Sequence, residues 1–161
     1  MSNFYKADGA AQTSNKDDWE TPQALFESLN AKYHFVIDLA ASKDNAKCDR
    51  YFSVADDSLS KDWSENFEGA MYLNPPYGRH IGQWIKKAYE TSLKVTVPIV
   101  LLIPSRTDTS YWHDYIFGKA HIKFLRGRLK FEQNGIACQA APFPSAIITY
   151  NDEKGAGISF D

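Results

Sequence analysis

The run Pro98-Ile99-Val100-Leu101-Leu102-Ile103-Pro104 offers no polar side chain to either face of a strand. Such a strand is stable only when both faces are covered, as in the centre of a parallel sheet flanked by helices. A second apolar run, Ala70-Met71-Tyr72-Leu73, reads as another buried strand, and Phe35-Val36-Ile37-Asp38 as a third that stops on a carboxylate. The small residues Leu39-Ala40-Ala41-Ser42 follow it. A strand that ends on an acid and a tight small-residue turn is where α/β sheets place ligands, outside the carboxyl ends of their strands. The acid also has an ordinary use, capping the next turn.

Helical patterns separate these runs. Thr21 is suited to cap a helix that starts at Pro22, and Leu25, Phe26, Leu29 and Tyr33 follow at helical spacing. Ile81, Trp84, Ile85, Ala88 and Tyr89 form one apolar stripe with Lys86 and Lys87 pointing outward. Residues 107–117 predict a further helix, with Asp108 as its cap, Trp112 and Ile116 on one face, and Gly118 at its end. Arg50-Tyr51-Phe52-Ser53-Val54 reads as an additional strand, and Asp62-Trp63 and Asn66-Phe67 lead toward the second apolar run.

The tail changes character. His121-Ile122-Lys123-Phe124 and Arg128-Leu129-Lys130-Phe131 alternate, Gln133-Asn134-Gly135 signals a turn, and Ser145–Tyr150 reads as the last strand. The expected architecture is α/β in three layers, a mostly parallel sheet with an antiparallel edge hairpin. One domain is expected over residues 17–161, without a separate target-recognition domain. A flexible arm is expected over residues 1–16, which lack the apolar core of a signal peptide.

Composition narrows the function classes. The 161 residues carry a formal net charge of −2, so no global positive field advertises nucleic acid, and such a surface has to be local. Cys48 and Cys138 have no metal-ligand spacing and read as thiols of a reducing cytoplasm. No apolar run approaches the roughly 20 residues of a membrane-spanning helix. His34, His80, His113 and His121 show no metal spacing either, and no metal is expected.

The chemistry concentrates in Leu73-Asn74-Pro75-Pro76-Tyr77-Gly78-Arg79-His80. Two consecutive prolines fix φ twice and donate no N–H, which gives a stiff loop at the end of a buried strand. The Asn74 carboxamide, the Pro75 carbonyl and the Tyr77 ring then supply two acceptors and one flat face, the complement of an amine on a planar ring such as adenine. A purine's exocyclic amine is a poor nucleophile because its lone pair is delocalised. Two fixed acceptors draw it toward tetrahedral geometry, so the lone pair localises and attacks a methyl group in line. An Asn-Pro step also opens ordinary turns.

Between residues 119 and 130 lie Lys119, Lys123, Arg126, Arg128 and Lys130 with no acid. On a strand pair at the sheet edge this is a surface for DNA phosphates, or an edge blunted by charge against aggregation. Arg79 and Arg106 follow buried strands and are expected at the same sheet edge as the active loop.

These residues resemble a known group. Trp19-Glu20-Thr21-Pro22, Asp38-Leu39-Ala40-Ala41-Ser42, Asp57-Ser58-Leu59 with Asp62-Trp63, and Asn74-Pro75-Pro76-Tyr77 occur in the order of the phage-type DNA adenine-N6 methyltransferases, the small Dam-like family. Pro104-Ser105-Arg106-Thr107-Asp108-Thr109 and Arg126-Gly127-Arg128-Leu129-Lys130-Phe131 are also similar to it, so the resemblance covers about residues 17–150. It implies a Rossmann-like methyltransferase with S-adenosylmethionine as methyl donor, S-adenosylhomocysteine as product, and a flipped adenine of double-stranded DNA as acceptor. For a phage-encoded protein it implies the cytoplasm of the bacterial host.

By position, the resemblance makes Asn74, Pro75, Pro76 and Tyr77 the catalytic loop and closes Trp19, Thr21 and Pro22 over the cofactor. It places Asp38 by the cofactor's amino-acid moiety, Asp57 and Leu59 by its adenine, and Ala40 among the cofactor-binding residues. Charge and position, apart from the resemblance, make Arg79, Arg106, Arg126, Arg128 and Lys130 the expected DNA contacts. Trp19 is alternatively a core aromatic, and Asp56 and Asp57 alternatively a solvated acidic pair. The chain departs from many methyltransferases in having no Gly-x-Gly after the first strand, and alanine does not permit the φ > 0 turns that glycine does. The Asn-Pro-Pro-Tyr motif also serves enzymes that methylate protein glutamine or RNA, and a silent DNA-binding module is the reading outside enzymes.

Overall fold

The computed structural model describes residues 19–65, 68–152 and 158–160. The arm expected over residues 1–16 and the Asn66-Phe67 lead-in lie outside the described residues. In chain order the elements are α1 (Gln23–Tyr33), β1 (Ile37–Asp38), β2 (Met71–Leu73), α2 (Ile81–Ser92), β3 (Ile99–Pro104) and α3 (Ser110–Tyr115). They continue with β4 (His121–Phe124), β5 (Glu132–Gln133), β6 (Ile136–Ala137), β7 (Ser145–Tyr150) and β8 (Ile158–Phe160).

All six residues of β3 are buried, as a strand without a polar face requires. It sits inside a mixed α/β sheet of order β1-β2-β3-β7-β4-β8. β1, β2 and β3 run parallel, with Asp38 beside Tyr72 and Leu73 beside Leu101. β7 runs against β3 from Ile99↔Tyr150 to Pro104↔Ser145, and β4 runs against β7. The carboxyl ends of β1, β2, β3 and β4 therefore share one edge. Asp38, Asn74, Arg106 and Arg126 all emerge there.

The tail differs from its sequence expectation. The antiparallel partners are β4 and β7, and they do not form an edge hairpin, because β8 pairs with β4 on its other side. Ser145–Tyr150 is thus not the last strand. Residues 128–131 form no strand: Phe131 is buried and Leu129 half-buried, while Arg128 and Lys130 are exposed. Their alternation comes from side-chain packing without a ladder. The Asn134-Gly135 signal is correct, since both residues take positive φ (55° and 80°) in the turn of the small β5–β6 hairpin. With β4 covered on both sides, the edge-blunting explanation of the basic residues falls.

The helices also shift. Pro22 is the N-cap of α1 rather than its first residue, and the Thr21 hydroxyl does not cap it. That hydroxyl hydrogen bonds instead to the Tyr72 hydroxyl, with both side chains fully buried. α3 is shorter than expected and starts after Thr109, not Asp108, while Gly118 takes the left-handed turn beyond it (φ 78°). Of the residues expected as strand 50–54, only Tyr51 bridges β1, through Asp38. α2 keeps Ile81, Ile85 and Ala88 buried, and Lys86 is exposed. Lys87 does not point out but lies over the Trp63 ring at 5.2 Å, a cation–π contact.

The Thr21–Tyr72 bond ties the segment before α1 to the central sheet. Thr21→Val leaves the Tyr72 hydroxyl buried without that partner and is expected to lower the unfolding free energy by about 1–3 kcal/mol. Replacing both partners, Thr21→Val with Tyr72→Phe, is expected to restore most of it. Chemical denaturation of the three proteins checks this, and a double variant no more stable than Thr21→Val would contradict it.

Candidate active site

At the carboxyl edge of the sheet, a cavity of about 260 Å³ is lined by Trp19 and Thr21, by Asp38 and Ala40 after β1, and by Asp57 and Leu59. Tyr72, Asn74, Pro75 and Pro76 from the β2 end and Trp84 from α2 line it as well. Of the residues expected around a cofactor, only Pro22 does not line it. The geometry adds Asn45, Lys47, Phe52 and Ser53, which carry no spacing that marks them in the sequence. Only the position of residues 50–52 beside β1 brings them in.

Asp38 is buried, and burial pushes its carboxyl up to about 6. Opposing that, its oxygens accept N–H groups from Lys47 (3.0 Å) and Ala40 (3.3 Å). The turn after it needs no glycine. The backbone ladder continues through Leu39 N–H to Tyr72 O and Ala41 N–H to Phe52 O (both 2.9 Å). None of residues 39–42 is among those with positive φ, so alanine meets the geometry that the missing Gly-x-Gly put in question.

The acidic pair divides its roles. The Asp56 carboxylate accepts the Ser53 backbone N–H (2.8 Å) and hydroxyl (3.0 Å), which hold its pKa below the usual carboxylate range. Asp57 instead takes a left-handed φ of 52° between two short 3₁₀ turns and lines the cavity. Trp63 fixes this loop from below, its indole N–H donating to the Ser58 carbonyl at 3.0 Å while its ring stacks on Trp84 at 6.1 Å.

The Asn74 amide is fixed at one end. Its Nδ2 donates to the Trp19 backbone carbonyl, and Oδ1 is buried with no hydrogen-bond partner among the described residues. A buried carbonyl oxygen left in that state is unfavourable on its own and is an acceptor site for an incoming N–H. Pro75 is buried behind it, and Pro76 is exposed.

Tyr77 departs from expectation, because its ring is not an open platform. Its hydroxyl donates to the Leu102 carbonyl in β3 at 2.9 Å, and the ring is 5% exposed. Trp19 lies nearly parallel to it (6.4 Å, 21°), with Phe131 and Phe143 edge-on at 6.0 and 5.6 Å. Trp19 is therefore both a cavity wall and part of an aromatic cluster. Phe131 and Phe143 escaped the sequence reading because they follow the tail's loops and join the site only in three dimensions.

Arg79 and Arg106 meet in a second, more open cavity of about 610 Å³ between α2 and α3, beside the Pro-Pro loop. The Arg106 guanidinium lies over Phe143 at 5.6 Å, linking that groove to the aromatic cluster. Arg126, Arg128 and Lys130 are exposed and line neither cavity, and Arg128 donates to the Ala141 carbonyl at 3.4 Å. Among the described residues no group of three His, Cys, Asp or Glu is placed to hold a metal ion, and no helix is long and apolar enough to cross a membrane.

Three similarities to known proteins accompany this geometry. A family model described as DNA N-6-adenine-methyltransferase (Dam) matches residues 9–154. YfdM of Escherichia coli (strain K12), a protein named as a methyltransferase, is 43% identical over 65 residues, 38% of this chain and 71% of that one. The DNA N-6-adenine-methyltransferase of Escherichia phage T1 is 28% identical over 121 residues, 74% of this chain and 49% of that one, so the match spans about half of the phage enzyme.

Asp38 gives the site a pH signature. Its folded pKa, near 6, lies above the ordinary 3.8, so the folded state holds the proton more tightly than the unfolded one. Stability from this group is greatest below the unfolded value and declines as pH rises from about 4 to 6, by about 3 kcal/mol in total. The Asp38 carboxyl carbon resonance is expected to titrate near pH 6, and a midpoint near 4 would contradict the burial argument.

Proposed function

The chain belongs to the DNA N-6-adenine-methyltransferase (Dam) family of adenine-specific DNA methyltransferases, and from that premise we propose that it transfers a methyl group from S-adenosylmethionine to the N6 amine of an adenine flipped out of double-stranded DNA. The observation that carries this is the buried Asn74 Oδ1, turned away from its only described amide partner and left without a donor. An adenine N6–H supplies that donor.

The cavity fits the methyl donor in chemistry. Its lining includes two acids from different stretches of chain, Asp38 and Asp57, and the apolar side chains of Leu59, Phe52 and Trp84. Asp38 suits an ammonium, Asp57 an amine N–H of an adenine ring, and Leu59 the face of that ring. Ala40 leaves room for close approach at the turn, and Trp19 and Thr21, from the segment that Pro22 joins to α1, close over the cofactor. When bound, S-adenosylmethionine supplies a methyl group on a cationic sulfur. The parallel order β1-β2-β3 with the cavity at its carboxyl edge supports a Rossmann-like reading of the sheet.

Asn74 Oδ1 and the Pro75 carbonyl each accept one N–H of the acceptor amine, so the nitrogen lone pair localises toward the methyl group. Pro75 and Pro76 keep both acceptors from turning away. The gain is electrostatic preorganisation, because the acceptors are aimed before charge develops on the nitrogen. Tyr77 is the stacking surface for the base, worth roughly 1–3 kcal/mol. With Trp19 parallel to it in this state, the base reaches Tyr77 by displacing the Trp19 ring. An adenine inside the duplex cannot reach these groups, which is why the base has to be extruded.

Arg79 and Arg106 hold phosphates beside the loop, and Arg126, Arg128 and Lys130 extend that surface past β4. For a phage-encoded protein, acting on DNA means working in the cytoplasm of the bacterial host.

Incubation with S-adenosylmethionine labelled at the methyl carbon and unmethylated duplex DNA, followed by nucleoside analysis, tests this reading. The expected product is N6-methyladenine as the labelled nucleoside. A folded, cofactor-binding protein that labels no DNA, or labels another base, would overturn it.

A further inference from the structure

Among the described residues lining the 260 Å³ cavity, Lys47 is the only cation, and the other charged residues are Glu20, Asp38 and Asp57. Two bonds place it. Its backbone N–H donates to the Asp38 carboxylate at 3.0 Å, and its ammonium donates to the Gln23 side-chain oxygen at 2.8 Å. Gln23 is in turn oriented by Glu27, whose carboxylate accepts its amide N–H at 3.1 Å. The ammonium is thus stationed at the first residue of α1, the positive end of that helix's dipole. The Gln23 backbone N–H at that end donates to the Glu132 carboxylate at 3.3 Å, whereas the Lys47 ammonium is held by a neutral amide oxygen, which leaves its charge available to an anionic ligand.

We infer that Lys47 is the carboxylate anchor of the cavity, forming with Asp38 a pair matched to the two ends of a zwitterionic α-amino-acid group. The carboxylate goes to the Lys47 ammonium beside α1, and the ammonium goes to Asp38. This inference rests on the proposed cofactor reading and deepens it. Where a glycine-rich turn is missing, a lysine nine residues after the strand-end acid takes up the anionic end of the ligand. Lys47 is a positioning residue in this scheme and touches no reacting atom. A lysine that only braced Gln23 would treat all ligands alike.

Calorimetric titration of S-adenosylhomocysteine and its decarboxylated analogue into wild type, Lys47→Met and Lys47→Arg separates these cases. Wild type is expected to bind S-adenosylhomocysteine at least about tenfold tighter than the analogue, the size of one charge-assisted bond. Lys47→Met is expected to lose that preference with its affinity for the analogue unchanged within about twofold, and Lys47→Arg to keep most of the preference. Equal weakening of both ligands in Lys47→Met, or no weakening of either, would overturn the inference while the proposed function stands. Wild type that binds neither ligand would overturn the cofactor reading and the inference with it.

Discussion

A backbone carbonyl can only accept a hydrogen bond, so the contact between the Trp19 carbonyl and the Asn74 amide admits one orientation of that amide. The NH₂ end is held, and the oxygen is left buried without a partner among the described residues. Much of the site's geometry serves this arrangement. Trp19 is placed by the Thr21–Tyr72 bond to the central sheet and by the antiparallel bridge from Glu20 to Glu132. Asn74 is placed by β2, which lies buried between β1 and β3 and feeds two prolines. One segment before the first helix and one loop after the second strand meet because the sheet brings both to its carboxyl edge.

The cavity beside this contact has a similar economy. Asp38, Lys47, Asp57 and Asn74 each belong to a different stretch of chain, and each is held by backbone or side-chain bonds before any ligand arrives. The raised pKa of Asp38 and the unpartnered oxygen of Asn74 are both unfavourable for the empty fold. Such local strain is typical of sites organised for binding and chemistry rather than for stability.

Much of this was legible in the sequence, for a physical reason. Runs such as Ile99–Ile103 need no partner to announce burial, and an acid or a double proline at the end of such a run marks the ligand edge of a sheet. Readings that depend on distant partners were less legible. Thr21 looks like a cap, but Tyr72 takes its hydroxyl. Tyr77 looks like an open face, but Phe131 and Phe143 surround it from beyond β4. The alternation at Arg128–Phe131 is real, yet it reflects packing without a ladder. Lys47 has no motif that marks it, and only its neighbours in space give it a role.

The central claim is that Asn74 Oδ1 is the acceptor for the reacting amine. Single-turnover methyl transfer to duplex DNA by Asn74→Ala, measured beside its affinity for S-adenosylhomocysteine, tests this most directly. The predicted result is a transfer rate lower by at least about 100-fold, as for loss of one preorganised hydrogen-bonding group, with cofactor affinity little changed. A variant that keeps most of its transfer rate would contradict the account.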